Sequence, residues 1–196
     1  MIPITITAAN TPGQMRAVHR LTYEAYLAKG LCRADPSERL QHYSHLDYIA
    51  ETTVLTAMVG DKLVGTVSIT LDGPAGLHVD EDFPDNMRWL RRRQTRLAAA
   101  WRIVTDPAYR GDRRLITRLM RAGFEEAIAH KADWLVCSFH PRRQKVHGKL
   151  GFETLARSHC RALNSAPVVL MLYDMRQGIP EQLRREEKPL IHANNP

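Results

Sequence analysis

Leu97-Ala98-Ala99-Ala100-Trp101-Arg102-Ile103-Val104-Thr105-Asp106-Pro107-Ala108-Tyr109-Arg110-Gly111-Asp112-Arg113-Arg114-Leu115 is the stretch from which the architecture can be read. The mostly apolar run from Leu97 to Val104 reads as a buried strand, Asp106-Pro107 makes the turn, and a long amphipathic helix follows Tyr109-Arg110-Gly111-Asp112-Arg113-Arg114. Leu115, Leu119, Phe124 and Ile128 recur at helical spacing as its core stripe, and the last turn falls near His130-Lys131. The first backbone N–H groups of a helix have no partner within it, and the helix dipole adds positive potential there. Arg110, Arg113 and Arg114 supply further donors with a planar geometry suited to phosphate oxygens. Such a junction reads either as an anion site or as a solvated helix entrance.

The elements around it are short and alternate in type. Ile2 to Ala8 has strand alternation, and Thr11-Pro12-Gly13-Gln14 starts a helix reaching about Lys29 with Val18, Leu21 and Ala25 inward. Cys32 to Tyr48 is polar and is expected to be a lid or acceptor-binding loop carrying His42 and His45. Thr53–Val59 and Leu63–Leu71 flank Gly60-Asp61 as a hairpin. Asp82–Gln94 reads as a helix with Phe83, Met87 and Leu90 on its inner face. Asp133–Phe139 is a buried strand ending at His140, Arg143–Leu150 a short helix, and segments from Thr154 and Val168 the closing strands. Residues 1–175 are thus expected to form a single domain, and residues 176–196 a partly flexible tail.

Within its 196 residues the chain carries 28 Lys and Arg against 21 Asp and Glu, a formal charge of +7, which favours an acidic partner. Nucleic acid, anionic membrane and an acidic carrier protein all qualify by charge. No recognition helix, zinc knuckle or aromatic RNA-binding signature accompanies it, so nucleic acid is not the expected partner. No apolar run approaches the ~18 residues of a membrane span. Cys32, Cys137 and Cys160 have no metal-ligand spacing and fit a reduced, cytoplasmic protein; no metal site is expected.

The order strand, Asp-Pro-x-Tyr-Arg-Gly, helix resembles the acyl-donor motif of the GNAT acyltransferase superfamily. Its Arg-x-x-Gly-x-Gly/Ala loop, read from Arg110, places Arg113 and Leu115 at the glycine positions, where backbone must approach phosphates closely. The chain is more similar to a narrower branch, the long-chain N-acyl amino acid synthases, cousins of the acyl-homoserine lactone synthases. Four segments carry that likeness: Arg20–Tyr26, Gly76–Asp80, Trp101–Pro107, and His140-Pro141-Arg142 with Leu150-Gly151-Phe152-Glu153.

The resemblance implies an α/β (α+β) GNAT fold, with a central mixed sheet of about six to seven strands, splayed middle strands and flanking helices. It implies transfer of an acyl group, long-chain by the branch, from acyl carrier protein or acyl-CoA to the amine of an amino acid or related small molecule. Donor contacts are implied for Val104, Arg110, Gly111, Arg113, Arg114 and Leu115. In that branch a glutamate three residues before the arginine matched by Arg102 is the expected base, and Ala99 stands there. An alanine takes no proton, so His140 becomes the first alternative, with His42 and His45 and then Glu24 and Glu153 behind it. Arg102 is expected to orient the acceptor carboxylate or the loop above it, or else to pair with an acid such as Asp106. Trp101 either narrows the acyl tunnel or packs. Ala99 and the absent glycines also suit a non-catalytic acyl-thioester-binding or carrier-binding protein; an ordinary acetyl-CoA-dependent N-acetyltransferase is a third reading.

Overall fold

Leu97–Thr105 is the central strand of a seven-stranded mixed sheet in the computed structural model, which describes residues 3–40 and 42–184. In chain order the elements are β1 (Ile4–Ala8), α1 (Pro12–Leu27), β2 (Thr52–Val59), β3 (Lys62–Leu71), α2 (Pro84–Arg91), β4 (Leu97–Thr105), α3 (Arg113–Ala129), β5 (Trp134–Phe139), α4 (Gln144–Lys149), β6 (Glu153–Cys160), β7 (Ala166–Asp174) and α5 (Glu181–Arg184). Their order across the sheet is β1-β2-β3-β4-β5-β7-β6, antiparallel except for β4 beside β5. This is the GNAT fold.

Local chemistry sets the boundaries. Thr11 caps α1 by accepting from the Gln14 amide at 3.2 Å, while Gln14 Oε1 accepts from the Thr11 amide at 3.0 Å, satisfying two donors reciprocally. Asp112 caps α3 by accepting from the amides of Arg114 and Leu115 at 2.8 and 3.2 Å. Gly65 on β3 lets α3 lie close, since a Cβ there would meet Leu119 Cδ1 at 2.7 Å.

Alternation along β4 divides the core. Ala98 faces α3 with Leu115, Leu119, Phe124 and Leu135, whereas Leu97 and Ala99 face α2 with Leu77, Val79, Met87 and Leu90. One core residue is placed differently from its expected position: Ile128 is 41% exposed, and the inward positions late in α3 are Gly123, Phe124 and Ala127. The first part of the expected tail is packed, with Leu183 buried and Ile179 partly buried against the α3-side core; residues 185–196 lie outside the described residues.

Two irregularities position the site. β4 and β5 pair only through Leu97–Trp134, Ala98–Leu135 and Ala99–Val136; beyond these β4 stays with β3 and β5 with β7, so the sheet splits after Ala99. In addition, Ser68 pairs with Trp101 and Thr66 with Val104, which leaves an extra residue on β4. The bulge includes Arg102 at φ +52°, a left-handed conformation that is unfavourable for a residue with a Cβ. It turns Arg102 toward α1 and the loop after it.

Candidate active site

The side chain of Arg102 is buried where the two halves of the sheet part. Its Nε and Nη2 donate to Ser68 Oγ at 3.0 and 2.8 Å, and Nη2 also donates to Asp47 Oδ1. Asp47 Oδ2 lies 2.9 Å from His19 Nε2, so loop, α1, β3 and β4 meet in one buried polar network. Burial alone would raise the Asp47 carboxyl, but its bonds with His19 and Arg102 outweigh that and hold it below the ordinary range. Arg102 is matched to an acid as expected, but to Asp47; Asp106 pairs with Lys62 at 2.7 Å.

Beside this network is a box of aromatic and imidazole rings. The Trp101 indole N–H donates to Thr70 Oγ at 2.9 Å, and the Arg102 guanidinium lies 4.3 Å from the Trp101 ring centroid. Tyr43, His42 and His78 surround the indole at centroid distances of 5.4, 5.6 and 6.1 Å. His78 reaches across to β5, its Nε2 3.4 Å from Ser138 Oγ. Burial lowers both His42 and His78 to about 3, with Arg102 adding to the effect at His42, so both rings are neutral at pH 7.

Three buried nitrogens of this cluster have no hydrogen-bond partner among the described residues: Arg102 Nη1, His42 Nδ1 and His78 Nδ1. Unpaired buried polar groups cost free energy and are uncommon, so three on side chains that contact one tryptophan make this cluster the candidate for meeting a polar ligand.

The opposite, α3-facing side of the split is apolar. A cavity of about 40 Å³, opening into a larger solvent-connected recess, is lined by Ala100 and Ile103 of β4, Cys137 and Phe139 of β5, and Met120 and Phe124 of α3, among others. The one polar side chain on its wall, His147, is stacked on Phe139 at 3.6 Å.

Residues 17–174 match the sequence profile of the family N-acyl amino acid synthase FeeM. The chain belongs to that family. It is an N-acyltransferase of the GNAT superfamily. The FeeM N-acyl amino acid synthase structure from uncultured soil microbes superposes with a TM-score of 0.80 at 20% identity, covering 89% of this chain and 92% of that one. An acyl-CoA N-acyltransferase from Pseudomonas aeruginosa gives 0.63 at 18% identity over 87% and 99%, and Escherichia coli ElaA 0.60 at 16% over 89% and 100%. No curated protein sequence matches.

In this FeeM-family chain the residues nominated from sequence fall in three places. Arg102 is in the buried network. Val104 is buried against Leu21, Ala25 and Tyr26 of α1. Arg110, Gly111, Arg113, Arg114 and Leu115 surround the start of α3, with Arg110, Gly111 and Arg113 exposed, Gly111 at φ +92° and the Leu115 side chain in the core. The amides of Arg114 and Leu115, the donors expected to meet phosphate, are held by the Asp112 carboxylate. Lys29 is lowered from its ordinary value by desolvation and then by nearby Arg143 and Arg110, so cations from three segments gather beyond the ends of β4 and β5.

His140 is exposed at the end of β5, with Nδ1 accepting from the Arg142 amide at 3.2 Å, a capping role. Ala99 is fully buried among apolar side chains. His19, Asp47 and Ser68 were not singled out from sequence. His19 does share the buried face of α1 with Met15 and Thr22, a pattern that signals burial but not a partner. Among the described residues no group of His, Cys, Asp and Glu could hold a metal, and no helix is long and apolar enough to cross a membrane.

Proposed function

We propose that this N-acyltransferase moves a long-chain acyl group from a carrier-protein thioester to the amine of an amino acid, with the thioester at the split between β4 and β5. The observation that carries the reading is the guanidinium of Arg102: charged, buried beside the split, with Nη1 lacking a partner among the described residues. A carboxylate satisfies that N–H with a charge-assisted bond and compensates part of the desolvation of both groups. An amino acid held there by its carboxylate presents its amine close to the same arginine, among Trp101, His42 and His78.

The apolar cavity on the α3 side suits a hydrocarbon chain, because methylenes leave water there with no polar group to desolvate. Acceptor and acyl tail then lie on opposite faces of the sheet and meet where its strands separate. Preference for a carrier over coenzyme A is supported by the Asp112 cap, which occupies the amides a pyrophosphate would need, and by the cations around it, which suit an acidic protein surface. A cytoplasmic setting fits the three free cysteines.

The test is mass spectrometry of products after incubating the protein with long-chain acyl carrier protein, and separately with long-chain acyl-CoA, each with a mixture of amino acids and simple amines. An N-acyl amino acid formed from the carrier thioester is the expected result. Products confined to amines without a carboxylate would remove the assigned role of Arg102, and binding without turnover would remove the transfer reading.

A further inference from the structure

We propose that His78 is the proton acceptor for the attacking amine, in place of the carboxylate that Ala99 cannot supply; the inference rests on the acyl-transfer reading above. His78 spans the split. Its ring stacks on Trp101 of β4 at an interplanar angle of 23°, and its Nε2 meets Ser138 of β5 at 3.4 Å. Ser138 lies past Val136, where pairing between the two strands has ended, so the imidazole stands over the gap. Its Nδ1 is buried and has no partner among the described residues. In the tautomer with hydrogen on Nε2, that N–H donates to Ser138 Oγ and leaves the Nδ1 lone pair free.

Neither His42 nor His140 has this combination. His42 also has an unpartnered Nδ1, but its ring contacts are with Tyr26, Tyr43 and Trp101, and none is with β5. His140 is exposed and accepts from its own turn.

The proton balance closes without a further reactant. The lone pair of a neutral amine forms the C–N bond, and the carbonyl π pair moves to oxygen. The excess proton on nitrogen passes to Nδ1. As the carbonyl re-forms, the C–S pair leaves on sulfur, and the proton held on Nδ1 passes to that thiolate, leaving an amide and a free thiol. Burial keeps the ring unprotonated in the resting protein, with Asp80 opposing that effect, and the oxyanion that forms beside it stabilises the transient imidazolium.

The test compares wild type, His78→Gln, His78→Ala, His42→Gln and Ser138→Ala with the donor and acceptor that give product in the wild type. Glutamine keeps a polar group at the site but is not a useful base. The expected result is a fall in kcat of about 10²–10⁴-fold for His78→Gln with donor binding retained. Added imidazole should partly restore turnover in His78→Ala, and His42→Gln, which alters the acceptor site but not the base, should raise the acceptor KM more than it lowers kcat. A His78→Gln protein within a few-fold of wild type, or a folded His78→Ala protein that imidazole does not rescue, overturns the proposal. Should both His78 variants fail to fold, Ser138→Ala decides: a lowered kcat at unchanged KM supports the assignment and an unchanged kcat overturns it. A silent wild type removes the transfer reading and this proposal together, whereas an active wild type with an unimpaired His78→Gln removes the proposal alone.

Discussion

Arg102 on the β4 bulge and Asp47 in the loop after α1 form an ion pair with no exposed side-chain surface on either partner. It fastens the loop carrying His42 and Tyr43 to the central strand where the backbone of Arg102 is least favourable. Removing the acid leaves a buried guanidinium without its countercharge. Asp47→Ala is therefore expected to lower stability by about 3–5 kcal/mol, read as a reduced urea midpoint. Replacing both partners with apolar residues, as in Asp47→Leu with Arg102→Met, should cost much less than the single change while abolishing turnover. A single variant as stable as wild type would show that water already solvates the pair.

The path from sequence to this site was legible in part. Strand β4, the turn and α3 could be read because strand and helical periodicity meet there at Asp-Pro, and the split followed from the family likeness. Ile128 was misplaced because α3 lies close to β3: the inward stripe passes through Gly123 and Ala127, and Ile128, one residue farther, rotates toward solvent. The Arg102–Asp47 pair was not readable, since the partners are 55 residues apart and the bulge that turns Arg102 toward the loop leaves no trace in the hydrophobic pattern. His78 falls within the Gly76–Asp80 segment that carries family likeness, and a histidine in a loop beside glycine does not reveal that it reaches a neighbouring strand.

Stability should fall in mild acid. His42 and His78 are lowered from 6.5 to about 3. Between those values the unfolded chain takes up protons at both rings and the folded chain does not, so folding loses free energy as pH falls. Asp47, held low in the folded state, adds to the loss as pH falls below about 4 through its folded value. The urea midpoint is expected to be flat from pH 8 to 7 and to drop steadily from pH 6 to 4. His78→Phe should reduce that slope. A midpoint constant down to pH 4 would mean that both rings are solvated in the native protein.

Asp112 connects helix stability to donor choice. Its carboxylate caps α3 by accepting from the Arg114 and Leu115 amides, and Asp112→Ala should cost about 0.5–2 kcal/mol. The same change exposes two amides and removes a negative charge, so the KM for acyl-CoA should fall while that for the carrier thioester changes less. Arg113→Ala with Arg114→Ala should weaken carrier binding and flatten its salt dependence. Unchanged carrier binding at low salt would place the docking surface elsewhere.

The apolar cavity makes chain length adjustable. Ala100 lies on the cavity wall at the start of the split, and its neighbours there are Ile103, Cys137 and Phe139. Ala100→Leu adds volume without adding a polar group, so it should shift preference and leave the chemistry intact. Each methylene denied its apolar site forfeits about 0.8 kcal/mol, roughly a fourfold loss in selectivity. With acyl donors of different lengths in competition, the product distribution should move to shorter chains while kcat for the shortest accepted chain stays within a few-fold of wild type. Met120→Phe, on the α3 wall, should move it the same way. An unshifted distribution in both variants would mean that the acyl tail runs along a different path, and a loss of all products at every length would mean that the cavity holds the thioester itself.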